Sequence, residues 1–348
     1  MSLSNPSQLL LRNEEYLKSS NPLVVNCPDN EFIPALERIN ENATISNFQI
    51  NYAYYLAQTQ RQSSHTLNQF SHNYDNQSGQ QHDLLIFYFP KSKAEFLFML
   101  AMLKPHLTAE CSVLLVGENN GGVKSALKLC KDQIQFGHKI DSARHCTLMQ
   151  LRLLPDSANF NLDDWFKTYQ LKVNDITIDV VSLPGVFSIG ELDKGTQLLL
   201  QHLPQKMQGK VLDFGCGAGV IGSYIQKRYP QTEVDMLDVN ALAIASSQKT
   251  LELNKLCAKV FASDGLSTVK GQYQAVISNP PFHQGLKTHY HTTESFLAHI
   301  KQHLHSQGTL TIVANSFLKY APIIEQAMGN NSQLAQSNGF TIHHSVKK

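Results

Sequence analysis

The chain has 348 residues, and this length predicts two domains that each bury a core without disulfide or metal support. The formal net charge is +1, from 29 Lys and Arg against 28 Asp and Glu, which excludes nucleic-acid binding through bulk charge alone. Six scattered cysteines without a C-x-x-C pair fit a reducing cytoplasm better than a disulfide-stabilised secreted fold.

The first residues lack a charged segment followed by an apolar core, and no stretch reaches the roughly 18 apolar residues that span a bilayer. We therefore expect a soluble cytoplasmic protein without membrane contact. Residues 58–82 are rich in Gln, Ser, Asn and His, which predicts a surface loop or a poorly ordered connection, although the segment has room for a short strand.

A strand, a helix and a strand follow one another in the first half of the chain. An apolar run at residues 83–89 ends at Pro90, a helical stretch covers 94–103, and a second apolar run lies at 113–117. This order predicts a parallel βαβ unit and an α/β fold. Residues 85–152 also hold nine Lys and Arg against five acids, which either a solvated helix face or a nucleic-acid surface explains.

The second half repeats this order, with a strand at residues 275–277, a turn at 279–282, a helix at 293–304 and a strand at 310–314. Aligning the two copies places residues 87–91 on residues 278–282. The first copy then lacks the asparagine of the second, and we interpret it as a degenerate duplicate that acts as a platform.

The same alignment moves the glycine-rich segment 117–122 to the end of a late strand, so we interpret it as a false nucleotide-binding motif. Between the copies, the only tryptophan, Trp165, precedes a predicted strand at residues 176–181. We place the domain boundary there, which gives domains 1–165 and 166–348.

A glycine-rich turn connects a short strand at residues 210–213 to a helix at 220–228. Gly215, Gly217 and Gly219 allow positive φ angles and close approach of a ligand to the main chain. Asp213 precedes the turn, and its carboxylate would repel a diphosphate but suit a ligand with ammonium and sulfonium charges. S-adenosylmethionine is such a ligand.

Two further aspartates follow the next strands. Asp238 ends a strand about twenty residues after the turn, where a carboxylate can bind both ribose hydroxyls. Asp264 ends a third strand and is placed to meet the adenine amino group. The alternative for each aspartate, Asp213 included, is a helix N-cap or a solvated loop carboxylate.

The tetrapeptide Asn279, Pro280, Pro281 and Phe282 directly follows an apolar strand, about sixty residues after the glycine turn. A base amine is a poor nucleophile because its lone pair is delocalised into the ring. If the Asn279 side-chain oxygen and the Pro280 carbonyl accept its two hydrogens, the lone pair can face a methyl group without a strong base. The prolines hold the carbonyl in place, and Phe282 would stack on the flipped-out base.

Six histidines crowd one region, and two of them, His299 and His303, are four residues apart. That spacing can bind a metal, but no H-E-x-x-H motif or partner cysteine accompanies it, so we expect a surface helix and no metal site.

Longer motifs surround these residues: L-P-G-V-F-S at 183–188, L-D-K-G-T-Q-L-L-L at 192–200, V-L-D-F-G-C-G-A-G-V at 211–220, I-S-N-P-P-F-H-Q-G at 277–285 and I-V-A-N-S-F-L at 312–318. Together with V-G-E-N at 116–119 and D-S-A-R at 141–144, they make the chain from residue 83 onward resemble the ribosomal RNA small subunit methyltransferase C family.

The resemblance implies two tandem class I methyltransferase-like, or Rossmann-like, domains, of which only the second binds S-adenosylmethionine. It implies methylation of the exocyclic N2 of a guanine in 16S rRNA of the small ribosomal subunit, by a monomer whose first domain supports folding and contacts RNA. By analogy, Phe187 and residues 196–199 lie along the cofactor cleft. Residues 329–336 are more polar than the family pattern, which predicts a frayed last hairpin.

Two other hypotheses stay open at this point. The same tetrapeptide serves adenine N6, cytosine N4 and glutamine amides, so the acceptor can differ while the reaction stays the same. Alternatively, the protein is a non-enzymatic RNA-binding module, which requires an empty cofactor pocket.

Overall fold

The structure, a computed structural model, describes residues 3–61, 63–155, 159–187, 190–280 and 287–348, with the backbone alone for 287–292. The chain divides into two compact units, unit 1 (residues 1–165) and unit 2 (residues 166–348). Among the described residues, no helix is both long and apolar enough to cross a membrane.

The strands of unit 1 are β1 (Pro22–Val25), β2 (Ile45–Gln49), β3 (Thr66–Phe70), β4 (His82–Tyr88), β5 (Leu107–Glu118), β6 (Ile134–Ala143) and β7 (Cys146–Leu153). Its α-helices are α1 (Asn5–Arg12), α2 (Phe32–Ile39), α3 (Tyr52–Thr59), α4 (Lys93–Leu103) and α5 (Ala126–Leu129). In the described part of unit 1 these strands form one sheet in the order β3-β2-β1-β4-β5-β7-β6. The strands from β3 to β5 run parallel, and β7 runs antiparallel to both of its neighbours.

The strands of unit 2 are β8 (Lys167–Val173), β9 (Ile176–Ser182), β10 (Gly209–Phe214), β11 (Thr232–Asp238), β12 (Lys259–Ala262), β13 (Tyr273–Ser278), β14 (Leu304–Asn315), β15 (Ser332–Ser337) and β16 (Phe340–Val346). Its α-helices are α6 (Lys194–Gln201), α7 (Val220–Arg228), α8 (Ala241–Leu253), α9 (Lys287–His299) and α10 (Tyr320–Met328). A sheet in the order β12-β11-β10-β13-β14-β16-β15 repeats the topology of unit 1, and β8 and β9 form a separate hairpin.

The central strands of unit 2 are buried on both faces because helices cover both sides of a parallel sheet. In β13 the last four residues are all buried. Strand order reverses between β10 and β13, and ligands of such sheets bind at the carboxyl ends of the strands at this reversal. We therefore expect the ligand site at the segments that follow β10 and β13.

Polar side chains on one face of α8 form hydrogen bonds with backbone groups at the edge of β9 that faces away from β8. The Ser246 hydroxyl accepts from the Leu183 amide at 3.0 Å, and the Thr250 hydroxyl accepts from the Val181 amide at 3.0 Å. The Asn254 side chain donates to the Asp179 carbonyl at 2.7 Å. Residues four apart share one helix face, so α8 satisfies backbone groups that a neighbouring strand would otherwise pair.

Residues 58–82 contain the short strand for which the sequence left room, whereas the expectation of a frayed last hairpin is wrong. Residues 66–70 form the edge strand β3, whose Thr66 pairs with Ile45 of β2, because an edge strand needs less apolar surface than a central one. The last hairpin is formed rather than frayed, since β15 pairs with β16 from Ser332 opposite His344 to Ser337 opposite Phe340. Asn330 closes it by donating to the Val346 carbonyl at 2.7 Å and accepting from the Val346 amide at 3.0 Å.

The predicted duplication is confirmed by strand register. Tyr88 follows the β4 residue Phe87, which pairs with Leu115, as Asn279 follows the β13 residue Ser278, which pairs with Ile312. The segment 117–122 begins at the end of β5, which is the equivalent of β14. Its interpretation as a false nucleotide-binding motif agrees with this position.

Candidate active site

The glycine turn follows β10 and leads into α7. Gly215, Gly217 and Gly219 have φ angles of +73°, +54° and +81°, a region that favours glycine. A Cβ atom on Gly215 or Gly217 would meet no heavy atom within 4 Å, so a ligand can approach the main chain there. A Cβ atom on Gly219 would lie 3.0 Å from the Ser247 Cα atom, so this glycine allows α8 to pack against the turn.

Asp238 lies at the end of β11 and holds the turn in place. Its Oδ2 accepts from the Gly217 amide at 3.0 Å, and its Oδ1 accepts from the Asn240 amide at 2.9 Å. Burial raises the pKa of Asp238, while the backbone amides oppose this shift by stabilising the carboxylate. A partly exposed carboxylate in this place can accept hydrogen bonds from ligand hydroxyls through its remaining lone pairs.

Asp213 is fully buried beneath the turn, and its Oδ2 accepts from the Gly222 amide at 2.9 Å. Gly222 is the third residue of α7, whose N-cap is Gly219 and carries no capping side chain. Asp213 thus satisfies a free amide in the first turn of α7 from the preceding strand, without being the N-cap residue itself.

The second oxygen of Asp213, Oδ1, is buried and has no hydrogen-bond partner among the described residues. Burial raises the pKa of Asp213 to about 7, the Gly222 amide lowers it, and the charge of Asp238 raises it further. A buried acidic group without full compensation is stabilised as an anion when a positive charge comes near.

The two remaining predicted cofactor residues lie at the surface. Asp264 is exposed after β12, and its carbonyl accepts from the Ser267 amide at 3.1 Å. The Phe187 side chain is 58% exposed, which is unusual for an aromatic ring of this size.

Asn279 follows β13 at the same edge of the sheet as the glycine turn, because Ser278 pairs with Phe214. The Ser278 hydroxyl donates to the Phe214 carbonyl at 2.7 Å and joins the two strand ends. The Asn279 Nδ2 donates to Asp193 Oδ2 at 3.1 Å and to Thr196 Oγ1 at 2.8 Å. Its Oδ1 is buried and accepts no hydrogen bond from the described residues.

Such an orphaned acceptor is costly in a native fold and calls for an explanation. Pro280 is buried next to Asn279, whereas Pro281 and Phe282 lie outside the described residues. The site therefore presents an asparagine carbonyl whose amide nitrogen is already bound.

Sequence reasoning missed the two partners of Asn279. Asp193 is the N-cap of α6, and its carboxylate accepts from the Thr196 amide at 2.9 Å. An aspartate directly before a helical segment is a local signal for a helix start, but it does not reveal a contact with a residue 86 positions away. The resemblance had placed Thr196 beside the cofactor instead.

The corresponding places in unit 1 are occupied by other side chains. Gln49 ends β2 where Asp238 ends β11, and its amide donates to the Cys27 carbonyl at 3.0 Å. Gln58 donates to the same carbonyl at 2.7 Å. Tyr88 stands where unit 2 has Asn279 and is only 6% exposed. All three side chains are buried, and Gln49 and Tyr88 stand where unit 2 has Asp238 and Asn279.

The histidines His299 and His303 each make a backbone contact. The Nδ1 atom of His299 lies 2.7 Å from the Ser295 carbonyl, and that of His303 lies 3.3 Å from the Gly271 carbonyl. In the part of the chain that the structure describes, no group of three or more His, Cys, Asp or Glu side chains could hold a metal ion.

Comparisons with known proteins agree with this geometry. The family model "Methyltransferase small domain N-terminal" matches residues 7–169, and "Methyltransferase small domain" matches residues 177–344. Ribosomal RNA small subunit methyltransferase C of Colwellia psychrerythraea is 49% identical over 99% of this chain and 98% of its own length. The protein of that name from Vibrio parahaemolyticus is 43% identical over 98% of both chains. The chain belongs to the ribosomal RNA small subunit methyltransferase C family.

Membership of the ribosomal RNA small subunit methyltransferase C family confirms the predicted methyltransferase, and the hypothesis of a non-enzymatic RNA-binding module is wrong. A solved structure, a T. thermophilus 16S rRNA N2 methyltransferase in complex with AdoMet and guanosine, matches with a TM-score of 0.80 and 20% identity. The match covers 94% of this chain and 88% of that chain. The predicted fold of two tandem methyltransferase domains is confirmed.

Proposed function

We propose that this protein transfers the methyl group of S-adenosylmethionine to the exocyclic N2 of a guanine in 16S rRNA of the small ribosomal subunit. The observation that carries the proposal is the Asn279 Oδ1 atom. It is buried and unpartnered at the carboxyl end of β13, beside the glycine turn. The names of the relatives support 16S rRNA as substrate, and the guanosine in the T. thermophilus structure supports guanine.

The residues around the turn fit S-adenosylmethionine, which supplies an electrophilic methyl group on a positively charged sulfur. Gly215 and Gly217 leave the main chain open to a ligand. Asp238 offers a fixed carboxylate for the ribose hydroxyls, and Asp264, which follows the next strand, would meet the adenine amino group. The uncompensated carboxyl group of Asp213 favours a cationic ligand over a diphosphate. Gly219 shapes the turn, and in this proposal the exposed ring of Phe187 lines the cofactor cleft.

The chain orients the acceptor amine through two hydrogen-bond acceptors. Asn279 Oδ1 and the Pro280 carbonyl each bind one amine hydrogen, which turns the nitrogen lone pair toward the methyl group. Neither residue needs to remove a proton before transfer, because positioning and electrostatic stabilisation supply the rate. Pro281 and Phe282 lie outside the described residues, and for them the proposal keeps the roles predicted from sequence, a rigid backbone and stacking on the extruded base.

The donor pair of an exocyclic amine is common to guanine N2, adenine N6, cytosine N4 and a glutamine amide. The two acceptors alone therefore do not select the substrate. The family membership of the chain favours ribosomal RNA over a protein. Methylation of another exocyclic or amide nitrogen by the same residues is the alternative function.

Unit 1 supports folding and contacts RNA in this proposal. We assign no cofactor chemistry to unit 1, where Gln49 and Tyr88 occupy the places of Asp238 and Asn279. A set of exposed cations lies on its surface, and these side chains can neutralise phosphates: Lys124, Lys128, Lys131, Lys139 and Arg144. We further infer that the protein is a cytoplasmic monomer.

The test compares 30S particles with naked 16S rRNA as substrates for labelled S-adenosylmethionine, followed by mass spectrometry of the digested nucleosides. We expect label in N2-methylguanosine. Label in another nucleoside or in protein would support the alternative acceptor instead.

Asn279→Ala should lower methyl transfer by about 10²–10³-fold while cofactor affinity stays within about threefold, because one acceptor for the reacting amine is lost. Gln201→Ala, at the exposed end of α6, is the control with unchanged activity. Full activity in Asn279→Ala would exclude this mechanism.

A further inference from the structure

Asn279 is held by a closed set of hydrogen bonds at the start of α6. Its Nδ2 donates to both Asp193 Oδ2 and Thr196 Oγ1, at 3.1 Å and 2.8 Å. The Thr196 hydroxyl donates in turn to Asp193 Oδ2 at 3.3 Å, and the Thr196 amide donates to the same oxygen at 2.9 Å. Thr196 is 5% exposed, so water does not compete freely for these groups.

The directions of these bonds follow from the chemistry of the three side chains. An ionised carboxylate only accepts hydrogen bonds, so Asp193 must receive hydrogens from both neighbours. The Thr196 hydroxyl donates its hydrogen to Asp193, so it accepts from the Asn279 amide through a lone pair. Rotating the Asn279 amide by 180° would place its carbonyl oxygen against the Asp193 carboxylate, which is repulsive.

The set of bonds therefore permits one orientation of the amide, with Nδ2 toward α6 and Oδ1 away from it. The charge of Asp193 also affects a neighbouring titratable group. The charge of Asp193, after burial itself, raises the pKa of Tyr169 on the neighbouring strand β8 to about 12. A negative charge that accepts from Nδ2 polarises the amide toward its carbonyl oxygen. The Asn279 Oδ1 atom is therefore a stronger hydrogen-bond acceptor.

Unit 1 retains the same frame without this selection. Ser4 caps α1 as Asp193 caps α6, and the Ser7 hydroxyl lies 2.6 Å from the hydroxyl of Tyr88, the residue in the place of Asn279. The Ser7 hydroxyl donates to Asp29 Oδ2 and so presents a lone pair to Tyr88, much as Thr196 does to Asn279, but the tyrosine side chain has no carbonyl to orient. In both units a side-chain contact joins the start of the helix to the end of the strand. Only in unit 2 does a carboxylate, that of Asp193, bind a side-chain amide there, that of Asn279.

We propose that Asp193 and Thr196 are positioning residues that fix the Asn279 carbonyl toward the acceptor amine of the substrate. This inference rests on the proposed function, in which Asn279 Oδ1 accepts one hydrogen of the reacting amine. Neither residue touches the transferred methyl group in this assignment. Their loss leaves the asparagine in place but lets its amide turn.

The decisive variants keep the cap of α6 and remove only the hydrogen bonds that fix the orientation of the Asn279 amide. Asp193→Asn is an equally good N-cap, but its amide can present either a donor or an acceptor to Asn279. Thr196→Val keeps the shape and removes the hydroxyl, and Thr196→Ser restores the hydroxyl. The measurements are kcat and KM for methylation of 30S particles, the cofactor Kd by calorimetry and the thermal midpoint.

We expect Asp193→Asn and Thr196→Val to lower kcat by about 10–100-fold, the size of effect that a misplaced catalytic group produces. The cofactor Kd and the thermal midpoint should change little, and Thr196→Ser should return kcat to within about threefold of the native value. In an Asn279→Ala background, Thr196→Val should cause no further loss, because the group it positions is gone.

The outcomes separate this inference from the proposed function. If the native protein methylates no guanine, or Asn279→Ala keeps full activity, the proposed function fails. If Asn279→Ala is inactive but Asp193→Asn and Thr196→Val keep native kcat, the positioning role is refuted while the function stands. A change in cofactor Kd at constant kcat would assign Thr196 to the cofactor cleft instead and would equally refute the proposal.

Discussion

The Asp238 carboxylate accepts a hydrogen bond from the Gly217 backbone amide at 3.0 Å, so the end of β11 is tied to the turn that follows β10. This contact couples a predicted ribose-binding group to the loop that approaches the ligand. The backbone reinforces it, since the Gly215 and Cys216 amides both donate to the Leu237 carbonyl at 2.9 Å. Changes at one element should therefore be felt at the other.

Replacing Asp238 by alanine should weaken S-adenosylmethionine binding by about 10–100-fold, because hydrogen bonds to a charged acceptor contribute roughly 1.5–3 kcal/mol. Calorimetry of the purified protein measures this affinity. Glu233→Gln, an exposed change on the same strand, is the control and should leave the Kd unchanged. Native affinity in Asp238→Ala would remove this residue from the cofactor site.

The Asp213 carboxyl group should make stability fall as pH rises. Its pKa is about 7 in the folded protein, above the ordinary 3.8 of an unfolded aspartate. Between these values the folded state holds more protons than the unfolded state, so the free energy of unfolding decreases with rising pH and levels off above the folded pKa. Asp213→Asn does not titrate and should lack this contribution.

Urea denaturation of the native protein and of Asp213→Asn at pH 5 and pH 8 measures the effect. The native protein should lose stability relative to the variant between these two conditions. An unchanged or opposite difference would show that Asp213 is already ionised at pH 5. Bound S-adenosylmethionine should reduce the difference by favouring the carboxylate.

Gly219→Ala should destabilise unit 2 more than an ordinary glycine substitution in a turn. The added Cβ atom would lie 3.0 Å from both Met236 Cε and Ser247 Cα, and the backbone atom cannot move aside without shifting α8. Overpacking of this kind costs about 1–3 kcal/mol beyond the strain of a positive φ angle.

Gly271→Ala is the matched control for that strain. Gly271 has a φ of +83°, close to the +81° of Gly219, but a Cβ atom there meets nothing within 4 Å. The difference between the two variants in thermal or urea unfolding isolates the overlap with α8. Equal destabilisation by both would mean that the backbone angle alone requires Gly219.

Thr250→Val should destabilise the contact between α8 and β9. The Thr250 hydroxyl accepts from the Val181 amide at 3.0 Å and donates to the Val181 carbonyl at 3.2 Å. Valine keeps the shape but leaves both buried backbone groups without partners, at a cost of about 1–3 kcal/mol. Thr250→Ser should recover most of the free energy of unfolding. A neutral Thr250→Val would mean that other groups satisfy β9.

Much of the fold was predicted from sequence because it depends on local patterns. The apolar runs predicted β4, β10, β11 and β13, and the helix at residues 220–228 matches α7 in its bounds. Polar edge elements were harder to predict, since β3 and β15 need only one pairing neighbour and carry few apolar residues. The start of α9 at Lys287, six residues before the predicted start, has no strong local signal in a histidine-rich segment.

The sequence by itself determined the chemistry that is available: glycines that allow the turn, carboxylates after successive strands, and an asparagine followed by prolines. These are local properties of residue type and order, so they survive without knowledge of the fold. Tertiary structure decided which atoms are left free. Asp213 accepts from the Gly222 amide of α7, and Asp193 holds Asn279 across 86 positions of sequence, because the topology brings the start of α6 to the end of β13. A hydrogen bond depends on distance and angle in space, and those are set only when the sheet has formed.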